Sequence, residues 1–400
     1  MPRICLLTET FHPVVGGGET HARLLSAELN ALGMPTFVIT RRSFPYLPVR
    51  DRVGITPIYR VSPTRMKRWG KYAMVPYVLR ALAQFRDEYD LIYVCGFRVL
   101  GAPTVLAAST LRKRCVLRAE VLGELSGKYA MAYSRLPAVV SRSYATAITA
   151  RNSILRRADG FVGISEPIVE EFLRHGVPSE KIHPIPNGID PEIFRPATLA
   201  EKRDLRRKLG LPSGVIAAYS GKLNRGKGLE NLIRAWHTVV RNTKDAHLVL
   251  VGSGGNQSLS CEPQLRHAVR SLNLEPTVTF TGYVDCVHEY LQASDLFVFP
   301  TENEAFGIAL VEAMSCGLPS IASHVGGIPG IVDHLNNGVL VDPGEADALA
   351  WSIMALIEQP DLRGRLAHEA RESVRRRFSI RVVAEQHKEL FSSICNAPDE

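Results

Sequence analysis

The sequence predicts an α/β protein of two domains, each built around a parallel sheet. A chain of 400 residues exceeds the usual size of one domain. Short apolar segments alternate with helical patterns along the chain, which is typical of βαβ units. A proline-rich segment interrupts this alternation once, and the pattern then starts again. An apolar content of 46% and a charged content of 22% are those of a folded globular protein.

The first βαβ unit occupies about 40 residues. Arg3–Leu7 predicts a buried strand, and Val14–Glu19 predicts a glycine-rich turn. A helical pattern follows and ends at Gly33, and Pro35–Thr40 predicts the next strand. Further strands of this half are expected at Leu91–Cys95, Cys115–Leu117 and Gly160–Ile164.

The segment Pro184–Pro196 contains four prolines and an Asn-Gly turn, so we place the domain connection there. The pattern then restarts with a strand at Val215–Ser220, a helix at Leu229–Val240 and a strand at His247–Val251. Later strands are expected at Leu296–Phe299, Pro319–Ala322 and Gly338–Val341, and a last amphipathic helix at Ile380–Ile394.

Composition argues against several classes of protein. The seven cysteines form no C-x-x-C pair and no cluster with zinc-ligand spacing, so we expect reduced thiols. The first residues lack the apolar core of a signal peptide. No apolar run reaches the roughly 18 residues that a membrane span needs. We therefore expect a cytoplasmic protein, and nothing in the sequence indicates a nucleic-acid partner.

Charge is distributed unevenly between the two halves. Residues 1–195 contain 27 Lys and Arg against 16 Asp and Glu, a net charge of +11, whereas the other residues have a net charge of −3. A basic first half favours an anionic partner. Its most mixed stretch combines cations with aromatic rings, namely Arg65, Lys67, Arg68 and Lys71 with Trp69 and Tyr72. Three explanations of this segment are open. It binds an anionic membrane surface, it binds a soluble anionic molecule, or it is a solvated helix without a partner.

Gly16-Gly17-Gly18-Glu19 stands between the first strand and the first helix. Backbone N–H groups of consecutive glycines and a helix N-terminus can hold an anion together. The pattern is not G-x-G-x-x-G, so a dinucleotide cofactor is not predicted. A tight turn without a ligand is the alternative.

Ser220–Gly228 is a second glycine-rich loop, at the carboxyl end of a predicted strand. Lys222, Arg225 and Lys227 lie among its glycines, a composition that suits a pyrophosphate. The loop does not match the Walker pattern, because Gly228 stands where Ser or Thr is required. A solvated basic loop is the alternative.

Thr301–Met314 is the third motif. Glu304 precedes a helix that begins near Phe306-Gly307, and Glu312 lies about one turn inside it, so both carboxylates can face one cleft. The N–H groups of Phe306–Leu310 are free to hold a phosphate. Glu312 has apolar neighbours and needs a partner, which favours a ligand hydroxyl over a solvated helix face. For Glu304, interaction with the helix dipole is the alternative.

These motifs resemble those of glycosyltransferase family 4, the group 1 glycosyltransferases of the GT-B fold. The resemblance covers the chain from Cys5 to about Phe391, and the E-x7-E spacing of Glu304 and Glu312 is its strongest part. Other matching pieces are FHPVVGGGETH, VGISEPIVEEFL, IHPIPNGIDPEIF, SGKLNRGKGLENLI, LVGSG, FTGYVD and VGGIPGIV.

The resemblance implies two Rossmann-like domains that face a central cleft. The acceptor-side domain would be residues 1–190 together with a returning C-terminal helix at 379–395. The domain that binds the donor nucleotide would be residues 196–378. The implied reaction is the transfer of a sugar, with retention, from a UDP- or GDP-linked donor to a lipid-linked acceptor or a glycan precursor. The nucleotide sugar is then a co-substrate, and we expect no cofactor.

Site residues follow from the resemblance, position by position. Lys222 and Lys227 would bind the diphosphate, Glu304 would lie beside the sugar hydroxyls, and Glu312 would bind the ribose. The other predicted donor-binding residues are Gly17, Gly18, Gly221, Gly252, Tyr283 and Val284 (the last two beside the base), and Phe306, Gly307, Ile308, Ala309 and Leu310.

Two positions depart from the family. Lys222 stands where the family usually has Arg, which keeps the charge but loses bidentate geometry. Glu120 stands where many members have a His that faces the sugar, so we count it among the catalytic candidates. The alternative for Glu120 is an ion pair with Arg118 or Lys128 and no role in the reaction.

The chain contains no Asp-x-Asp motif, so we expect no metal requirement. Three other classes were weighed: a glycosyltransferase with a soluble acceptor, a non-catalytic sugar-nucleotide-binding homologue, and a GT-B epimerase or phosphorylase. The presence of both glutamates and both lysines disfavours the non-catalytic homologue. A phosphorylase needs a pyridoxal-phosphate lysine and a longer chain.

Overall fold

The computed structural model describes residues 1–64, 70–128, 138–255 and 259–398, with side chains omitted at 138–143 and 145. The chain forms two compact units. Met1–Gly188 and Ile380–Glu400 make up the first unit, and Ile189–Ser379 makes up the second. The chain therefore returns to the first unit with its last helix, as the predicted fold class requires.

The first unit contains alternating strands and helices. In chain order they are β1 (Ile4–Thr8), α1 (Gly17–Ala31), β2 (Thr36–Arg41), β3 (Arg50–Val53), β4 (Thr56–Val61), α2 (Gly70–Ala73), α3 (Val75–Gln84), β5 (Leu91–Cys95), α4 (Phe97–Leu111), β6 (Arg114–Arg118), α5 (Ala138–Leu155), β7 (Gly160–Gly163), α6 (Glu166–Arg174) and β8 (Ile182–Pro184).

The second unit repeats the alternation. Its elements are α7 (Leu199–Leu209), β9 (Val215–Ser220), α8 (Leu229–Asn242), β10 (Ala246–Val251), α9 (Glu262–Ser271), β11 (Val278–Gly282), α10 (Val287–Ala293), β12 (Leu296–Phe299), α11 (Ile308–Ser315), β13 (Ser320–Ser323), β14 (Val339–Val341), α12 (Ala346–Glu358) and α13 (Pro360–Arg377). The last helix of the chain, α14 (Ile380–Asn396), belongs to the first unit.

The sheet of the first unit has the strand order β3-β4-β2-β1-β5-β6-β7-β8. All neighbouring strands are parallel except β3 and β4, which are antiparallel. The central strands β1 and β5 are fully buried, as expected of parallel strands covered on both faces. Helix α14 packs against α1, and its Val383, Ala384 and Phe391 join the core.

The sheet of the second unit has the strand order β11-β10-β9-β12-β13-β14, and every pair is parallel. The chain runs outward in one direction from β9 to β11 and then in the other from β12 to β14. The order therefore reverses between β9 and β12. In open α/β sheets, ligands bind outside the carboxyl ends of the strands at this point.

The predicted strands lie within one residue of the observed ones, but four observed strands were not expected. The antiparallel strand β3 has the sequence RDRV and is half-exposed, so it lacks an apolar signal. The structure also corrects the predicted turn at Val14–Glu19. Gly16 is extended and helix α1 begins at Gly17. The first turn of a helix needs no intrahelical N–H partners, so glycines are tolerated there.

All seven cysteines are free thiols, and five of them are buried. Within the described ranges, no helix combines the length and apolar character that crossing a bilayer requires.

Candidate active site

The loops that follow β9 and β12 in the second unit are joined through their backbones. The N–H of Glu302 donates to the carbonyl of Gly226 at 3.0 Å. Gly228 has a φ of 66°, and a methyl group placed on it would lie 1.7 Å from the Pro300 carbonyl oxygen. Only glycine fits this approach, so the basic loop lies directly against the end of β12.

The loop after β10 meets the same basic loop. Gly221 donates its N–H to the Val251 carbonyl at 3.0 Å. Gly252 has a φ of 134°, and a methyl group on it would lie 2.0 Å from the Gly221 carbonyl oxygen. The structure therefore brings the predicted residues Gly221 and Gly252 into backbone contact.

Lys227 and Glu304 form an ion pair that the sequence analysis did not predict. The Lys227 Nζ and the Glu304 Oε2 are 2.7 Å apart, and the two side chains are 29% and 19% exposed. An ammonium group has three donors, so Lys227 can hold this carboxylate and an incoming phosphate together. Glu304 thus fixes the lysine beside the β9 and β12 loops.

Lys222 lies at the start of the same loop and is exposed. Its ammonium forms no ion pair with any residue in the described part of the chain. The two predicted diphosphate-binding cations therefore differ, because among the described residues Lys227 has a carboxylate partner and Lys222 has none.

Helix α11 begins at the switch point. Gly307 precedes it with a φ of 112°, and a methyl group there would lie 2.8 Å from Ile328 Cδ1. Among the described residues, the N–H groups of Phe306, Gly307, Ile308 and Ala309 have no acceptor. Leu310 differs, since its N–H donates to the Gly307 carbonyl at 3.0 Å. The free donors are therefore the four residues before Leu310.

The glycine pair Gly326-Gly327 fixes the Glu304 backbone, and the sequence indicated no role for this pair. The N–H of Gly327 donates to the Glu304 carbonyl at 3.1 Å. A methyl group on Gly326 would lie 1.9 Å from the same oxygen. The only sequence signal was the VGGIPG segment, in which paired glycines can mark a close backbone approach.

Glu312 lies on α11 among buried apolar neighbours, and its own side chain is half-buried. Its carboxyl forms no hydrogen bond or ion pair with any part of the chain that the structure describes. Burial raises the pKa of Glu312 to about 8, so the carboxyl is largely protonated at neutral pH. The predicted need for a partner is therefore unmet in the protein without ligand.

The raised pKa of Glu312 gives a pH dependence with a definite sign. The ordinary pKa is 4.5 and the folded value is about 8, so between these values the unfolded chain has released the proton while the folded protein still holds it. The free energy of unfolding therefore falls as the pH rises through this interval. We expect the melting temperature of ligand-free protein to fall as the pH rises from 6 to 8, and to fall roughly 3 °C less in Glu312→Gln. Differential scanning calorimetry across this range measures the difference. Parallel curves for the two proteins would contradict it.

Tyr283 and Val284 follow the edge strand β11. The Tyr283 ring is 64% exposed. Its hydroxyl donates to Asp285 Oδ1 at 2.8 Å, which raises the pKa of the phenol. Val284 packs against the cluster of Ile216, Val249 and Val251. The structure thus places an open aromatic face at the carboxyl edge of the sheet, anchored by the valine.

In the first unit, the predicted Gly18 and a second glycine, Gly96, lie beside Glu120. A methyl group on Gly18 would lie 2.7 Å from Glu120 Oε1, and one on Gly96 would lie 3.1 Å from Oε2. Gly17 opens α1 and is exposed. The space beside Gly18, where a phosphate was expected, thus holds a carboxylate of the protein itself.

Glu120 also contacts Arg118, one of the two partners weighed for it. The guanidinium Nη1 lies 3.3 Å from Glu120 Oε1, and the arginine side chain is 1% exposed. Burial raises the pKa of Glu120, and Arg118 opposes this effect. The ion pair of the non-catalytic alternative is therefore present, and it also fixes the carboxylate beside Gly18.

These features define a two-domain protein of the GT-B fold, with a topological switch point in the sheet of its second unit. Residues 201–373 match the family described as Glycosyl transferases group 1. Residues 15–193 match the family described as Glycosyltransferase Family 4. The chain belongs to these group 1, family 4 glycosyltransferases.

Known proteins are similar along nearly the whole chain. N-acetyl-alpha-D-glucosaminyl L-malate synthase of Bacillus anthracis is 25% identical over 96% of both chains. A GDP-mannose-dependent monoacylated alpha-(1-6)-phosphatidylinositol monomannoside mannosyltransferase of Corynebacterium glutamicum is 26% identical over 97% of both. The structure of sucrose-phosphate synthase from Thermosynechococcus elongatus superposes with a TM-score of 0.79, at 26% identity, over 98% of this chain and 99% of that one.

Proposed function

We propose that the protein transfers a sugar from a UDP- or GDP-linked donor to an acceptor hydroxyl, with retention at the anomeric carbon. One observation carries the proposal: the Lys227–Glu304 ion pair, 2.7 Å long, lies at the switch point where α11 begins with free N–H groups. Cations and N–H groups together suit a diphosphate, and a fixed carboxylate suits sugar hydroxyls.

The chemical step needs stabilisation of the leaving nucleoside diphosphate. In this proposal, Lys227, Lys222 and the N–H groups of Phe306–Ala309 neutralise charge on the phosphate as the bond between C1 and the phosphate oxygen breaks. The acceptor oxygen bonds to C1 from the same face and gives its proton to the departing phosphate oxygen. Glu312 accepts hydrogen bonds from the ribose. No protein group needs to become covalently attached.

The proposed catalytic group of the first unit is Glu120, in the place of the His that many members of the family have. Burial raises the pKa of Glu120 above that of an ordinary glutamate, which favours a role in proton exchange.

The donor class is tested by a panel of UDP-, GDP- and ADP-sugars, read out by thermal stabilisation and by donor hydrolysis. We expect one UDP- or GDP-sugar to stabilise the protein and to be hydrolysed slowly. The same assay with EDTA is expected to give unchanged rates, because cationic side chains do the work of a metal in this proposal. Activity that EDTA abolishes and Mg²⁺ or Mn²⁺ restores contradicts the metal-independent mechanism.

For the acceptor, we propose a lipid-linked or membrane-proximal molecule, held by the basic first unit. Residues 65–69 of the basic and aromatic segment lie outside the described residues. In the part that is described, Tyr72 is 52% exposed and the Lys71 ammonium lies 5.2 Å from the centre of its ring. Such cation and aromatic pairs are typical of membrane interfaces. One relative is named for a phosphatidylinositol mannoside, which is a lipid, and the other for malate, which is a soluble acid. The relatives therefore support both acceptor classes.

Sedimentation with liposomes separates these acceptor classes. We expect binding to anionic vesicles at low salt, release at high salt, and weaker binding when Lys67, Arg68 and Lys71 are replaced by Ala. The matched control replaces Lys202, Arg203 and Lys208 of the second unit. Protein that stays in the supernatant with anionic vesicles at low salt rules out the membrane and favours a soluble anionic acceptor.

A further inference from the structure

We propose that Glu124 and Glu171 are positioning residues that fix the loop after β6 and thereby set the place of the Glu120 carboxylate. The proposal rests on the proposed function, in which Glu120 acts as a catalytic group of the first unit. Neither residue was predicted from the sequence as part of a site.

Glu124 turns its carboxylate back into its own loop. Oε1 accepts the N–H of Glu120 at 3.1 Å and that of Val121 at 3.3 Å. Oε2 accepts the N–H of Phe97, the first residue of α4, at 3.0 Å. The residue is 2% exposed. One buried carboxylate thus joins the start of the loop to the start of a helix.

Glu171 fixes the other part of the loop from α6. Its two carboxylate oxygens accept the N–H groups of Gly123 and Ser126, each at 2.7 Å. The residue is 7% exposed. Arg151 of α5 satisfies the loop's carbonyl groups, since its Nη2 donates to the Glu124 and Leu125 oxygens at 2.8 Å. Side chains from α5 and α6 therefore bind both the N–H groups and the carbonyl groups of the loop.

Both ends of Glu120 are fixed by these contacts. Glu124 holds its backbone N–H, and Arg118 holds its carboxylate at 3.3 Å, against Gly18 and Gly96. Arg118 is itself oriented by a hydrogen bond from its Nη2 to Asn187 Oδ1. Glu120 is therefore held at its backbone and at its carboxylate, and a catalytic group requires support of this kind.

Glu124 and Glu171 together form a clamp on the loop after β6, and this clamp does more than provide acceptors for the loop's N–H groups. Surface loops usually leave such groups to water, and burying a carboxylate is unfavourable unless its hydrogen bonds are well made. Here two buried carboxylates converge on one loop, and one of them, Glu124, holds the backbone N–H of Glu120, the residue that departs from the family's His. Loops held on a rigid scaffold are where site residues are concentrated.

Burial raises the pKa of Glu124 to about 7, and Glu120 of the same loop adds to this effect. Arg98 of α4 lowers the pKa of Glu124. Arg151 of α5 also faces the carboxylate. A glutamine at position 124 would keep the size of the side chain and one acceptor oxygen, and would replace the other acceptor with a donor.

The test uses Glu124→Ala and Glu171→Gln in the full chain, with the donor found by the nucleotide-sugar panel. We expect kcat to fall roughly 10- to 100-fold in Glu124→Ala, because a catalytic group displaced by about 1 Å loses that much. The Kd of UDP or GDP is expected to stay within about twofold, because Lys227 and Glu312, which are proposed to bind the nucleotide, belong to the second unit. Glu124→Gln keeps one of the two acceptor oxygens, so we expect an intermediate kcat.

Asp159→Asn is the matched control. Asp159 accepts the N–H of Cys115 at 2.7 Å and pairs with Arg114, at the other end of β6. We expect it to lower the melting temperature while kcat, measured well below that temperature, stays unchanged. Wild-type kcat in Glu124→Ala, or an equal loss in Asp159→Asn, overturns the positioning role. If Glu124→Ala does not fold, the same criteria apply to Glu171→Gln.

Hydrogen exchange separates a failure of this inference from a failure of the proposed function. If the wild-type protein transfers no sugar from any donor, the proposed function fails. The exchange of amides 119–127 then decides the clamp by itself. Faster exchange in Glu124→Ala than in Asp159→Asn supports it, and unchanged exchange overturns it.

Discussion

Replacing Lys227 with Ala is expected to weaken nucleotide binding by roughly 10- to 100-fold, the value of a lost charged hydrogen bond. The structure adds a second reason for a large effect. Without Lys227, the Glu304 carboxylate loses a partner at 2.7 Å and faces the diphosphate as an unpaired anion. Calorimetric titration of UDP and GDP, which carry no sugar, measures this effect.

The ion pair makes the prediction specific. In the double variant with Glu304→Gln, the repulsive carboxylate is gone, so we expect nucleotide affinity to recover several-fold relative to the single variant. Lys208→Ala is the matched control, because Lys208 also pairs with a glutamate of the second unit, at 2.6 Å, but away from the switch-point loops. Wild-type affinity in Lys227→Ala, or an equal loss in Lys208→Ala, removes Lys227 from the nucleotide site.

Replacing Gly228 with Ala is expected to disrupt both stability and donor binding. The new methyl group would lie 1.7 Å from the Pro300 carbonyl oxygen, so the basic loop must separate from the end of β12. Overpacking against backbone and the left-handed conformation together cost about 3 kcal/mol. The displaced loop carries Lys227 away from Glu304, so we also expect nucleotide affinity to fall more than about tenfold. Urea unfolding and nucleotide titration measure the two effects.

Gly226→Ala separates backbone strain from steric overlap. Gly226 also has a positive φ, 81°, but a methyl group there would meet nothing within 4 Å. We expect it to lose only about 1 kcal/mol and to keep most of its nucleotide affinity. Equal effects of the two substitutions would show that close packing of the loop on β12 is not what Gly228 provides.

The parts of the fold that the sequence predicted are those that local pattern determines. Buried parallel strands such as β1, β5 and β12 are continuous apolar runs, which are visible without any partner. The start of α11 after Gly307 was also predicted, because it depends on residues close in sequence. Glu304 and Glu312 were predicted as site residues from the same local motif, in which Glu304 precedes the helix and Glu312 lies on it.

The parts that were missed depend on which strands become neighbours. Lys227 and Glu304 are 77 residues apart, and they meet only because β9 and β12 pair in the sheet. Sequence patterns do not reveal that adjacency. Glu120 reaches Gly18 for a similar reason, because β6 and β1 are both neighbours of β5.

Buried carboxylates were missed for a different reason. Glu124 and Glu171 are charged residues in polar stretches, and such residues are usually exposed. Their burial depends on backbone N–H groups of a loop whose path the sequence does not show. The sequence also predicted that Glu312 needs a partner. It did not predict that the carboxyl has no hydrogen bond among the described residues or that burial raises its pKa, because both depend on how α11 packs.

The central claim is that the second unit binds the donor at the carboxyl ends of β9 and β12. A crystal structure of the protein with UDP or GDP, whichever binds more tightly, tests it most directly. We predict the diphosphate within hydrogen-bonding distance of Lys227 and of the N–H groups of Phe306–Ala309, with the ribose on Glu312. A nucleotide bound in the first unit, or in the second unit without contact to Lys227 and Glu312, would contradict the account.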